Sequence, residues 1–272
     1  MRVLEFYEPR FTTRQGTFMN IRQISLTVLS LLFTAGFSSL SSAADVSKIL
    51  KDMDVAMAGA DDQYMLYEIR DKQAGKDERV LKIEVTVKGP KRFTTFLEPR
   101  DLKGMKILVL SQTQMWVYIP SFKKARRVAS HVTRQGVQGT AFSNDDMALA
   151  SFADKYDGTI ESQDDKSWKL RLKAKDGTDA PYPAIHVTVD KKLTLPTKLE
   201  YHNDEGLKVK TENRTDYSCQ GKACTARVHE MTDHTKNGQV TSLIRQEWKV
   251  NQKVKDRVFT KRNLQRARSF KN

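Results

Sequence analysis

Cysteine is scarce: Cys219 and Cys224 are the two in 272 residues. That excludes a disulfide-dense scaffold and any Cys-rich zinc module. The five histidines, His131, His186, His202, His229 and His234, fall at no metal-ligand spacing, so neither a metal nor another cofactor is expected. No H-E-x-x-H, G-x-S-x-G, G-x-x-x-x-G-K-[ST] or G-x-G-x-x-G occurs, and nothing points to an enzyme. No Pro/Gly/Ser linker divides the chain, which has only 7 prolines and 13 glycines. Only one stretch is both long and apolar, which rules out a polytopic membrane protein.

That stretch is Ile24 to Phe37, 14 residues behind the short basic segment Met19-Asn20-Ile21-Arg22. As a helix it would reach ~21 Å, short of a ~30 Å hydrocarbon core. Ser41, Ser42, Ala43 and Ala44 follow, small residues of the kind an exporting peptidase reads. The pattern is that of a cleaved secretory signal peptide. Residues 1–43 are therefore read as signal peptide with an N-terminal extension, Met19 being an alternative start, and residues 44–272 as a single domain. No cysteine sits at the cut, so a non-lipidated periplasmic protein is expected.

What the chain has in excess is positive charge: 47 Lys+Arg against 33 Asp+Glu, a formal +14. With 39% apolar residues it is nonetheless able to bury a core. An exported basic protein meets anionic lipid headgroups or envelope polymers rather than nucleic acid, unless the charge serves solubility alone.

The hydropathy pattern changes period once. Val46, Ile49, Leu50, Met53 and Met57 recur at helical spacing and predict a helix over residues 46–60, ended near Gly59. Beyond it alternation takes over, as in Leu81, Ile83, Val85 and Val87 against Lys82, Glu84, Thr86 and Lys88. Further segments of this kind start at Met65, Arg92, Met105, Met115, Thr159, Trp168, Ile185, Thr197, Leu207, Ala226 and Thr241, with turn signals between several of them. About eleven strands in hairpin order, with few helices between, predict an antiparallel meander. Parallel pairing would need crossover helices that are absent.

Cys219 and Cys224 bracket the tip of a predicted hairpin and, in an oxidising compartment, should pair. Asp145-Asp146 follow Ser143-Asn144 and precede Met147-Ala148-Leu149, which marks a helix start rather than an acid–base pair. Lys123, Lys124, Arg126 and Arg127 form the densest positive segment, an anionic contact or a solvated loop.

Three blocks are distinctive: Phe96-Leu97-Glu98-Pro99-Arg100-Asp101-Leu102-Lys103-Gly104, the run from Met115 to Val128 with the pattern W-x-Y-x-P-x-x-x-K-x-R-R, and Gly139-Thr140-Ala141-Phe142 leading to Asp146. With Phe259-Thr260-Lys261-Arg262-Asn263-Leu264 they resemble the outer membrane lipoprotein-sorting protein family, a LolA-like group often found near RND-type exporters. The resemblance spans residues 45–266. It implies a mainly β fold, a strongly curved antiparallel sheet or incomplete β-barrel covered by a few helices, and no catalytic residues.

The expected function is a non-enzymatic periplasmic carrier or chaperone that binds acyl chains of a lipid or lipoprotein. Its partners would include an inner-membrane RND-type exporter and the anionic membrane surface. Candidate cavity residues are Met65, Tyr67, Leu81, Ile83, Val85, Phe93, Leu108, Leu110, Met115 and Val117; Met147, Leu149 and Phe152 are the candidate lid. An ordinary packed core is the other use of these positions. The alternative function is an envelope-stress sensor or regulatory module that uses the same fold to bind a membrane-protein partner.

Overall fold

Alternating segments become strands wherever one face can be buried, and here they join into one sheet. The computed structural model describes residues 45–111, 114–128, 136–149 and 151–266. The signal-peptide reading of residues 1–43 and His131 lie outside them. Along the first half run β1 (Asp62–Lys72), β2 (Arg79–Lys88), β3 (Lys91–Glu98), β4 (Lys106–Ser111), β5 (Gln114–Ile119) and β6 (Lys124–Arg127). Along the second run β7 (Tyr156–Gln163), β8 (Ser167–Ala174), β9 (Ala184–Asp190), β10 (Leu195–His202), β11 (Lys208–Gln220), β12 (Ala223–Asp233) and β13 (Gln239–Val250).

Strand order is β6-β5-β4-β3-β2-β1-β13-β12-β11-β10-β9-β8-β7 in a 13-stranded sheet. Every described pairing is antiparallel. Each half is a meander, and the first and last strands meet at the centre. The edges β6 and β7 are not bonded to each other, so the barrel stays open. The sheet thus exceeds the roughly eleven strands expected. The strand the pattern did not reveal is β6, whose four residues Lys124-Ala125-Arg126-Arg127 read as a charged loop. Charge on an edge strand discourages pairing with another chain, which explains why a strand there carries no apolar signature.

Helix α1 (Val46–Ala58) follows the expected spacing and ends at Gly59. Asp45 caps its N-terminus by accepting a hydrogen bond from the Ser47 amide at 2.9 Å. Ile49, Leu50 and Met53 are its buried face. They join Leu170, Leu172, Ile185, Val187, Leu199 and Tyr201 in the core on the concave side of the sheet. Gly59 holds φ of +27°, and a Cβ there would stand 2.9 Å from the Ala223 Cα. The helix end therefore abuts the β11–β12 hairpin tip, an approach that only glycine permits.

A short helix, α2 (Asn144–Ala148), starts where expected, and its start is a capping box. The Ser143 hydroxyl accepts from the Asp146 amide at 3.1 Å, and the Asp146 carboxylate accepts from the Ser143 amide at 2.7 Å. Its segment is tied to the sheet by Ala141, whose amide donates to Thr241 Oγ1 at 2.8 Å. Asp54 of α1 accepts from the Phe152 and Ala153 amides, both at 2.8 Å, and so links the helix to the chain entering β7.

The convex face carries a second apolar cluster. Phe93, Leu108 and Trp116 are covered there by Val258, Phe259 and Leu264, the last on α3 (Lys261–Leu264). Lys261 Nζ lies 4.4 Å from the Trp116 ring centroid. Among the described residues no helix is long and apolar enough to cross a membrane.

Candidate functional site

α1 and α2 do not fill the concave face. Near the centre of the sheet they leave a cavity of about 680 Å³, within the ~300–1,000 Å³ range usual for small-molecule sites. Met57 and Ala58 from α1, Met65 and Tyr67 from β1, and Val85 and Val87 from β2 supply apolar wall. Phe142, Met147 and Leu149 close it from the α2 segment, and Leu195, Pro196, Ala226 and Leu243 from the second half of the sheet.

Three of the ten candidate cavity residues, Met65, Tyr67 and Val85, line this space. Leu81, Ile83, Met115 and Val117 share the concave core but pack away from the cavity. Phe93, Leu108 and Leu110 are on the opposite face, against the C-terminal segment. β4 is apolar on both faces: Ile107 and Val109 point to the concave core, Leu108 to the convex cluster. Alternation cannot choose between two apolar sets, and the opposite parity carried the expectation to the wrong face. In β3 the inward set is Arg92, Thr94 and Phe96, with Phe93 outward. Of the candidate lid, Met147 and Leu149 line the cavity; Phe152 is fully buried in the core beside Tyr156, ring centroids 6.1 Å apart.

The floor of the cavity is ionic, a feature the sequence reading missed. Glu212 and Arg214 on β11 and His229 on β12 face it. The Glu212 carboxylate accepts from Tyr201 Oη at 2.7 Å, from Arg214 Nε at 2.8 Å and Nη2 at 3.1 Å, and pairs with His229 Nδ1 at 3.0 Å. Burial alone would push the Glu212 carboxyl up, but Arg214 and the His229 hydrogen bond outweigh it and hold it well below the usual carboxylate range. Burial also drives the His229 imidazole down, against the pull of Glu212. Asp146, another carboxylate in the wall, takes a 2.6 Å bond from Lys210 Nζ. The signal was there: Lys210, Glu212 and Arg214 alternate on one face of a strand with opposite charges in sequence.

Arg92 stands apart from this network. It lines the cavity, and burial pushes its pKa down against the pull of Tyr67. The Tyr67 hydroxyl, pushed up by burial, feels Arg245, Arg92 and Arg214 together and donates to Met65 Sδ at 3.1 Å.

The basic segment is on the surface. Pro120–Phe122 form a 3-10 turn, Lys123 takes the left-handed conformation at φ 47°, and the chain returns as β6. Arg126 lies over the Phe122 ring at 5.4 Å, and Phe122 is 59% exposed. Cys219 and Cys224 are bonded, directly opposite one another in the β11–β12 hairpin as expected, and Cys224 reaches the cavity wall. No group of three or more metal-ligating side chains occurs among the described residues.

Fold and cavity define a class: an open, curved antiparallel sheet that half-encloses an apolar space beneath short helices. A family model described as "-like: Uncharacterized protein" matches residues 88–266, more than half the chain. The chain belongs to that family, and its fold is LolA-like. Solved structures agree in fold. A LolA superfamily protein from Nitrosomonas europaea aligns at TM-score 0.68 and 24% identity over 81% of this chain and 99% of that one. A putative outer membrane lipoprotein-sorting protein domain from Vibrio parahaemolyticus aligns at TM-score 0.71 and 24% identity, covering 81% and 98%. A DUF1329 family protein from Desulfovibrio piger aligns at TM-score 0.70 and 19% identity, covering 81% and 99%. No curated protein matches the sequence.

Proposed function

We propose that the protein is a non-enzymatic periplasmic carrier or chaperone that takes the acyl chain of a lipid or lipoprotein into its concave cavity. The observation that carries this reading is the 680 Å³ cavity, mainly apolar above its ionic floor, left open under α1 and α2. Burying an acyl chain stabilises a complex by about 0.8 kcal/mol per CH₂, so ten enclosed methylenes contribute roughly 8 kcal/mol before the costs of ordering. Met65, Tyr67, Val85, Met147 and Leu149 are the acyl contacts in this account. Export through the predicted signal peptide places the carrier in the periplasm. The family resemblance supplies the proposed partner, an RND-type exporter. Exposed Phe122 among Lys123, Lys124, Arg126 and Arg127 suits a transient contact with an anionic membrane surface.

The test fills the cavity. Val87 lines it and is only half-buried, so Val87→Trp adds bulk where there is room rather than strain. Affinity for a fluorescent acyl probe is expected to fall about tenfold or more while the melting temperature stays within about 3 °C. Unchanged probe affinity in a folded Val87→Trp protein would count against an acyl chain in this space.

A further inference from the structure

The concave wall places a cation where a purely hydrocarbon carrier has no use for one. Arg92 is on the inward face of β3, between Val87 of β2 and Val109 of β4 in register, and it lines the cavity. The acids of that wall are committed elsewhere or lie in water. Glu212 is held by Arg214, Tyr201 and His229, Asp146 by Lys210, and Asp61 is exposed at the rim.

Resting on the carrier reading above, we infer that Arg92 is the anchor for the acid group, a carboxylate or phosphate, of an anionic acyl amphiphile whose chain lies in the apolar part of the cavity. Arg92 is half-buried, and drawing a guanidinium partly out of water without a counter-charge costs free energy, so an anion arriving with the ligand finds an electrostatic gain already prepared. The planar fork of arginine matches both acids in two-point fashion. Arg214, the other arginine of the lining, is taken up by Glu212. Arg245 is itself anchored, donating to Ser218 Oγ at 2.7 Å and stacking 4.7 Å from the Trp248 centroid. That leaves Arg92 available to the ligand. The neutral wall of Met65, Val85, Val87 and Leu149 accepts the chain.

The experiment compares hexadecanoate, hexadecyl phosphate, methyl hexadecanoate and inorganic phosphate as competitors of an acyl fluorophore, well above the carboxyl pKa. Each is run against wild type, Arg92→Gln and Arg92→Lys. The two anionic amphiphiles are expected to bind wild type roughly 10- to 100-fold more tightly than the methyl ester. Arg92→Gln should abolish that preference while leaving the ester's affinity unchanged, which also shows that the variant is folded; Arg92→Lys should keep part of it. Equal binding of acid and ester by wild type, or an intact preference in Arg92→Gln, overturns the inference while leaving the carrier reading in place. Inorganic phosphate binding as tightly as hexadecyl phosphate also overturns it, since the site would then read a free anion. Failure of all three chain-bearing ligands to bind removes the carrier reading and the inference together.

Discussion

Glu212 is where a single substitution should reveal how the concave face is held together. It is 2% exposed and accepts four bonds, two of them from the guanidinium of Arg214. Replacing it with leucine leaves Arg214, whose side chain is 11% exposed, as a buried cation without its partner. Breaking a buried pair from one side costs about 3–5 kcal/mol, a large part of the ~5–15 kcal/mol that keeps a domain folded. For a chain of this size that is a fall of roughly 6–20 °C in melting temperature. Removing the whole set behaves differently, because it leaves no orphaned charge. Glu212→Leu with Arg214→Met and Tyr201→Phe should regain at least half of the loss, since His229 is half-buried and its ring nitrogen can turn to water in the cavity. Urea unfolding monitored by tryptophan fluorescence reads both values. A single-variant cost below about 1 kcal/mol, or a triple variant as unstable as Glu212→Leu, would refute this reasoning. The same cluster sets an acid limit. Glu212 titrates below its unfolded value and His229 below its own, so in each case the unfolded chain takes up the proton first. Their contributions are complete above about pH 6.5; that of His229 is lost first on acidification, and that of Glu212 from about pH 4.3 downward.

Other changes have distinct readouts. Cys219→Ser with Cys224→Ser opens a six-residue ring and should lower stability by about 2 kcal/mol in urea unfolding; free thiols in protein isolated from the periplasm would contradict the pairing. Exchanging Lys123, Lys124, Arg126 and Arg127 for Gln should weaken binding to anionic vesicles, at most ~1 kcal/mol per charge, and flatten its salt dependence. Binding of a neutral acyl probe should not change. Vesicle binding identical to wild type from low to physiological salt would mean that these residues serve the edge strand alone.

The sequence made the sheet legible because most strands alternate cleanly and turn signals separate several of them. α1 and the capped start of α2 were legible for the same local reason: Asp45 and Ser143 sit where a helix start needs a side-chain acceptor. What stayed hidden depends on partners distant in sequence. Leu108 faces the convex side because Phe259 and Leu264, some 150 residues on, come back to cover it. The pairing of β1 with β13 in the centre of the sheet is likewise set by closure of the whole chain, not by either strand. Charge hides structure in two opposite senses. β6 is a strand although it reads as a basic loop, whereas Arg92, Glu212 and Arg214 face inward although their type reads as outward. Those inward charges are what distinguish this concave face from an ordinary core, and periodicity alone gives them no mark.

The measurement that bears most directly on the carrier account is native mass spectrometry of protein exported to the periplasm and purified without detergent. A carrier should show a bound population heavier by the mass of an acyl lipid, released as that lipid on denaturation and reduced in Val87→Trp. Protein that is repeatedly ligand-free, and that takes up no acyl fluorophore when offered one, would contradict it.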